Sequence, residues 1–348
     1  MSAPWPDPHH EMLLRAVLSE DAPEPTGDIP LDRAIRQLLP LLYWRWPSSQ
    51  STLVQQGRRA HLTAWQQNKT RLELLRSVVA QLREAGIPSL MLKGAALSLA
   101  FYRDPGLRPM RDVDLLVPKE RSADAARKLV ELGFKPEGGK FPNRLRVGHG
   151  WQFFREEQSL DLHWRPLVRC FAPEVTQMFW SGATEDALPC ATDQLFHVCA
   201  HGLQWDWEPS VRWIADAWFV SRNQAIDWSR LYQLALASDM RCRLFHALAY
   251  LKENISIAVP EETLAELAHG VPSWEAREYQ LLLKPCPLNA IDSLRWHQYH
   301  FRRIRPFDEQ WREQPYPMAF SSYLSEFLEA EGQVDFMRRL WSAVSPRF

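Results

Sequence analysis

The sequence predicts an α+β protein, in which a small mixed β-sheet forms a core between helices before it and a helical region after it. Two observations lead to this fold class. Short apolar runs of strand length, bounded by Pro and Gly, are confined to residues 87–166. On both sides of that stretch, apolar residues recur at helical spacing. Three regions follow: an N-terminal helical region (1–86), the core (87–166), and a helical domain with a C-terminal extension (167–348).

The segments before the core show helical periodicity. Helices are predicted over residues 11–18, 31–46 and 58–84. Pro40 lies inside the second segment and is expected to bend or break it, because proline lacks the N–H that a helix interior requires. The third segment is the longest, ends at Ala85-Gly86, and is expected to pack against the sheet.

Strands and helices alternate through the core. Strands are predicted over residues 88–93, 112–117, 147–154 and 158–164, and helices over 95–102 and 119–132. The last two strands are separated by Glu156-Glu157 and are expected to form a hairpin. Beyond Pro166 the pattern becomes helical. Helices are predicted over residues 193–203, 210–220, 228–237, 241–252 and 261–269, with further helices or arms from about residue 285.

The stretch between Met91 and Val117 carries the residues that indicate chemistry. Gly94 lies where the first strand turns into a helix, and there backbone N–H groups and the helix dipole favour an anion. Asp112 and Asp114 begin the next strand at i and i+2, so they point to the same face, about 7 Å apart at their Cα atoms. Two such carboxylates repel each other and need a partner, for which a divalent cation is the obvious candidate. The stretch therefore indicates metal-assisted chemistry on a phosphate.

A structural role would also account for these aspartates. Asp112 would then close the Pro-rich turn before it, and Asp114 would pair with Arg108 or Arg111. The basic residues around the stretch have two interpretations as well, since a solvated surface and a phosphate-binding site both attract lysine and arginine.

The sequences LKGAAL (residues 92–97) and RPMRDVDLLV (residues 108–117) resemble a known family. They are similar to nucleotidyltransferase family 5, an uncharacterised branch of the polymerase-β-type nucleotidyltransferase superfamily. The resemblance is good over residues 87–165 and weaker over 190–240. It implies a nucleotidyltransferase core and a third carboxylate on a later strand, for which Asp161 is the candidate.

The resemblance also implies roles for individual residues. Asp112, Asp114 and Asp161 would bind Mg²⁺, or Mn²⁺ in its place, and form the catalytic centre. The residues implied to contact the nucleotide are Lys93, Gly94, Ala95, Arg108, Arg111, His163, His201, Arg212 and Asp216. For the last three, a buried polar network that ties the helical domain to the core is the alternative. Ala95 stands where the superfamily usually has a serine or glycine, so phosphate binding would depend on backbone N–H groups, Lys93 and nearby arginines.

The implied function is metal-dependent transfer of a nucleoside monophosphate, or a related phosphate-linked group, from an NTP donor. The acceptor would be a hydroxyl or phosphate of a small molecule, peptide or protein, with peptide natural products among the possibilities because family-5 genes are associated with such pathways. A non-catalytic protein that binds a nucleotide or a partner on the same fold is the alternative.

Charge and cysteine usage exclude some other classes. The chain has 41 basic and 42 acidic residues and a net charge of −1, which argues against a general nucleic-acid binder. Its five cysteines form no CxxC pair and indicate reduced thiols in a cytoplasmic protein. No signal peptide and no apolar run of membrane-spanning length is recognised, so no membrane partner is expected.

Overall fold

The protein is described by a computed structural model, which covers residues 5–26, 29–203, 210–284 and 288–330, together with residues 335 and 339. A mixed five-stranded sheet lies among helices, so the predicted fold class is confirmed. The strands are β1 (Leu90–Leu92), β2 (Val113–Leu116), β3 (Lys135–Pro136), β4 (Gly150–Arg155) and β5 (Gln158–His163). Their order across the sheet is β1-β2-β5-β4-β3, with β2 and β5 parallel and every other pair antiparallel.

Helices precede, interrupt and follow these strands. Before and within the sheet they are α1 (Pro8–Leu18), α2 (Arg33–Arg45), α3 (Thr52–Glu84), α4 (Lys93–Leu97), α5 (Ser122–Glu131) and α6 (Phe141–Val147). After it come α7 (Pro173–Ser181), α8 (Ala191–Gly202), α9 (Arg212–Asn223), α10 (Trp228–Ala237), α11 (Arg241–Ile255), α12 (Glu261–Ala268), α13 (Ser273–Leu282), α14 (Ala290–Ile304), α15 (Glu309–Glu313) and α16 (Tyr316–Phe327). The helices predicted on both sides of the core are therefore present.

Three local predictions differ from the structure. Helix α2 continues through Pro40, because the leucines on either side are buried and their packing offsets the roughly 3 kcal/mol that an interior proline costs. The segment predicted as a strand from residue 147 is helical up to Val147, and the strand begins only at Gly150. The helix after Gly94 begins at Lys93, and its last turn widens to a π-helix over Ser98–Tyr102.

The sheet is buried on both faces. Met91, Leu115 and Leu162 point to one face, where they pack with apolar residues of α3 and α5. Leu90, Leu92 and Leu116 alternate with them and pack on the opposite face against a large cluster that includes α1, α2 and the helices from α7 to α12. A third apolar cluster forms around the C-terminal helices. The opposite face is the one on which Asp114 and Asp161 lie, because side chains two residues apart in a strand share a face.

Within the described residues, no helix combines the length and the apolar composition needed to cross a membrane.

Candidate active site

The parallel pairing of β2 with β5 brings two of the predicted carboxylates together. Asp114 and Asp161 are direct neighbours in the register, while Leu92 at the end of β1 lies opposite Asp114 on its other side. Asp114 is 2% exposed and therefore needs partners for its charge. Strand β5, which is separated from β2 by the 41 residues 117–157, thus supplies the second carboxylate of the site.

Asp114 is held by two side chains rather than by an arginine. Lys93 Nζ lies 2.5 Å from Asp114 Oδ1, and His163 Nε2 donates to the same oxygen at 2.9 Å. Neither Arg108 nor Arg111, the structural partners considered from the sequence, forms this pair in the described structure. Because a carboxylate only accepts hydrogen bonds, His163 carries its proton on Nε2, which leaves the lone pair on Nδ1.

The environment separates the pKa values of the three aspartates. Burial alone would raise the pKa of Asp114, but Lys93 and His163 together hold it well below its ordinary value. Burial and the neighbouring charge of Asp114 raise the pKa of Asp161 to about 7. The same two causes raise the pKa of Asp112. One carboxyl is thus firmly ionised at neutral pH, and a neighbour binds and releases a proton there.

Asp114, Asp161 and His163 form a group suited to a metal ion. One ligand atom from each lies within 4.8 Å of the other two. Asp161 Oδ1 and His163 Nδ1 are buried and have no hydrogen-bond partner among the described residues. A buried carboxylate oxygen without a partner, beside a second carboxylate and a histidine, fits a cation. Asp112, predicted as a metal ligand, stands just before β2 and lines the adjoining cavity, outside this group.

The cavity beside the carboxylates has a volume of about 320 Å³ and contains most of the predicted site. The predicted residues on its wall are Lys93, Gly94, Arg108, Arg111, Asp112, Asp114, His201, Arg212 and Asp216. Ala95 is fully buried, and Ala95, Asp161 and His163 are not on that wall. Gly94 is required by close packing, since a Cβ there would lie 2.6 Å from Arg108 Nη1 and 2.9 Å from Met110.

Arg108 and Asp216 form a buried bidentate ion pair in the cavity wall. Arg108 Nε and Nη2 donate to the two carboxylate oxygens of Asp216, each at 2.8 Å, and the Tyr102 hydroxyl donates to Oδ1 at 2.7 Å. Arg212 donates to the Pro109 carbonyl oxygen at 2.7 Å. This is the polar network that was the alternative to nucleotide binding, and it forms part of the cavity wall at the same time. Tyr102 was not recognised from the sequence, because its neighbours indicated an apolar helix.

Histidines surround the carboxylates and are neutral. Burial lowers the pKa of His201 to about 3 and lowers that of His163 and His197 as well. The His149 ring lies 5.1 Å from that of His163. Sequence reasoning missed His149, since its contact with His163 is made by the pairing of β4 with β5.

The N-terminal helices also reach the site. Arg33 and Gln37 of α2 line the cavity, and they line a second, more open cavity of about 580 Å³ together with Arg36, Arg111 and Arg212. The sequence predicted a helix here and gave it no role in the site. An amphipathic helix has the same apolar spacing whether its polar face meets solvent or a ligand, so the sequence carried no signal for this role.

A mixed sheet with paired carboxylates on neighbouring strands, beside a glycine at a strand-to-helix turn, is the arrangement that the nucleotidyltransferase resemblance implies. The family model described as an uncharacterised nucleotidyltransferase matches residues 36–256, which is more than half of the chain. The chain therefore belongs to this nucleotidyltransferase family and is an enzyme of that class. The match begins within α2, upstream of the segment in which the resemblance was recognised. No curated protein matches the sequence.

Two solved structures of one protein show weak similarity. A solution structure of the antibiotic-resistance factor ANT(2'')-Ia is 14% identical, with 53% of this chain and 98% of that chain covered at a TM-score of 0.36. A crystal structure of ANT(2'')-Ia with adenylyl-2''-tobramycin is also 14% identical, with 61% and 94% covered at a TM-score of 0.26. Because both TM-scores are below 0.5, the assignment depends on the family model.

Proposed function

We propose that the protein is a Mg²⁺-dependent enzyme, active with Mn²⁺ as well, that transfers a nucleoside monophosphate from an NTP to a hydroxyl or phosphate acceptor. The observation that carries the proposal is the convergence of Asp114, Asp161 and His163, whose ligand atoms lie within 4.8 Å of one another beside the cavity. A divalent cation held there would neutralise the charge that develops on the triphosphate oxygens. Small molecules, peptides and proteins, including peptide natural products, are the proposed acceptor classes.

The chain's own residues have distinct roles in this proposal. The backbone N–H group of Gly94 would face the phosphates, because Gly94 lines the cavity and belongs to the first turn of α4, where N–H groups have no intrahelical partner. Arg111 and Arg212 on the cavity wall supply positive charge toward the triphosphate. Asp112, which lines the cavity, orients the donor, and Asp161 accepts the proton of the attacking hydroxyl. Tyr102, Arg108 and Asp216 hold the wall in place through their hydrogen bonds.

A non-catalytic nucleotide-binding protein is the second candidate, and one observation favours it. Lys93 already neutralises Asp114, and Ala95 supplies no hydroxyl to the phosphates. Such a protein would bind a nucleotide with little dependence on metal and would form no product.

Calorimetric titration with ATP, GTP, CTP and UTP, with and without Mg²⁺, distinguishes the transferase from the non-catalytic binding protein when it is followed by a measurement of pyrophosphate release. We expect Mg²⁺-dependent binding of one nucleotide. Asp114→Asn should lower turnover by about 10²-fold or more, because Asp114 belongs to the group that would hold the metal ion, and electrostatic stabilisation of the transition state by a metal centre is worth several kcal/mol. Asp124→Asn on the surface of α5 is the matched control and should leave both unchanged. Full activity of Asp114→Asn would contradict the catalytic proposal, and metal-independent binding without product would support the binding protein.

A further inference from the structure

The backbone conformation of Lys93, together with its charge, positions its side chain against Asp114. It follows β1 directly, and its φ of +44° lies in the left-handed region that residues with a Cβ rarely adopt. A residue keeps such a conformation when the surrounding structure determines it, and these positions concentrate at functional sites. Here the turn places the Lys93 ammonium 2.5 Å from Asp114 Oδ1.

The Lys93 ammonium interacts with more than one carboxylate. Besides its ion pair with Asp114, Lys93 interacts electrostatically with Asp112 and Asp161. When all three carboxylates are ionised, as they are when they face a metal ion, one resident ammonium leaves two negative charges, which a single divalent cation neutralises. A second divalent cation would bring two further positive charges close to Lys93, and like charges repel strongly in a buried site.

The arrangement of the possible metal ligands also indicates a single metal ion. Asp114, Asp161 and His163 form one compact ligand group, and Asp112 lies outside it. A second ion could bind beside the first if both shared Asp114 Oδ1 as a bridging ligand. That oxygen already accepts hydrogen bonds from Lys93 and His163. Within the described residues of this ligand group, Asp161 Oδ1 is a buried oxygen without a hydrogen-bond partner, which suits one ion.

We propose that Lys93 takes the place of one divalent cation, so that the centre holds a single metal ion on Asp114, Asp161 and His163. This inference rests on the metal site of the proposed function. It makes Lys93 a fixed positive charge at the catalytic carboxylates rather than a ligand of the phosphates. A fixed ammonium needs no uptake from solution, so it remains in position through each turnover.

The test counts metal ions on the full chain, with Mn²⁺ alone as the probe and electron paramagnetic resonance as the readout of free and bound ion. We expect one Mn²⁺ per wild-type chain. Lys93→Met should bind two, because the position vacated by the ammonium then lies among three carboxylates. Lys128→Met, the same substitution on the surface of α5, is the matched control and should bind one.

Wild-type protein that binds two ions would overturn the Lys93 proposal and leave the metal-dependent function standing. Wild-type protein that binds none would overturn both. One ion in wild type and one in folded Lys93→Met would also contradict the proposal, since Lys93 would then not exclude the second ion. Circular dichroism reports whether the variant is folded, and a wild-type count of two or none overturns the proposal even if the variant is not.

Discussion

At the scale of single residues, Asp161 shows how position alone changes the chemistry of a side chain. It is the register neighbour of Asp114, and burial together with that neighbour raises its pKa to about 7. An unfolded chain gives an aspartate a pKa of about 3.9. The native protein without metal therefore holds a proton on Asp161 through a pH range in which the unfolded chain has lost it.

The free energy of unfolding of the metal-free protein should depend on this proton. Because the folded pKa of Asp161 is raised, its contribution is fully present below about pH 4 and is lost as the pH rises to about 7. We expect wild type to lose about 2 kcal/mol relative to Asp161→Asn between pH 4 and pH 8, a value reduced because Asp161 is partly exposed.

Urea unfolding in the presence of a chelator measures this difference at each pH. Glu157→Gln in the neighbouring hairpin turn is the control and should follow wild type. Parallel pH profiles for wild type and Asp161→Asn would show that Asp161 does not carry the proton.

At the scale of elements, the junction of β1 with α4 controls the shape of the cavity. Gly94 lets the first turn of α4 lie against Arg108, whose guanidinium is fixed by Asp216 of α9. The position of one short helix is thus connected to a helix more than a hundred residues away. The glycine is needed for this close approach and not for an unusual φ.

Gly94→Ala should disturb this junction. Its Cβ would lie 2.6 Å from Arg108 Nη1, so the arginine must move away from Asp216, and overpacking of this kind costs about 1–3 kcal/mol. We expect a loss of stability of that size in thermal unfolding and weaker binding of the nucleotide in calorimetry. Gly138→Ala is the control, since nothing lies within 4 Å of its added Cβ. If Gly94→Ala has the stability and nucleotide affinity of wild type, the close approach of position 94 to Arg108 does not require glycine.

At the scale of the whole molecule, one face of the sheet is covered by helices from outside residues 87–166, so the sheet does not form an independent unit. Leu90, Leu92 and Leu116 belong to the same apolar cluster as α1, α2 and the helices after the sheet. The division at residues 87 and 166 remains a prediction from the sequence, and the packing indicates that the three regions support one another.

The segment 87–166 should therefore not fold by itself. Its isolated sheet would expose three large apolar side chains on one face, each worth about 1.5–3 kcal/mol when buried. We expect the isolated segment to show the narrow amide proton dispersion of an unfolded chain in NMR spectra, while the full chain gives dispersed resonances. Dispersed resonances from the isolated segment would mean that the core is a self-sufficient domain.

Local sequence patterns were sufficient to predict most of the elements and the family. Strand-length apolar runs bounded by Pro and Gly, and helical spacing elsewhere, depend on local periodicity, so most helices and strands were predicted correctly. Asp112, Asp114 and the Lys93-Gly94 turn stand close together in the chain, and their motif led to the correct family. Position 147 was misjudged because a short apolar run suits a strand and a helix equally well.

Only the tertiary structure decided which side chains meet. Asp114 pairs with Lys93 and His163 because β2 lies between β1 and β5, a choice that sequence spacing does not encode. Arg108 pairs with Asp216, and α2 supplies Arg33 and Gln37 to the cavity, through packing between distant segments. Local patterns follow from backbone geometry, whereas partners across the chain are selected by the burial of whole faces, and for this reason the ion pairs of the centre could not be predicted from the sequence.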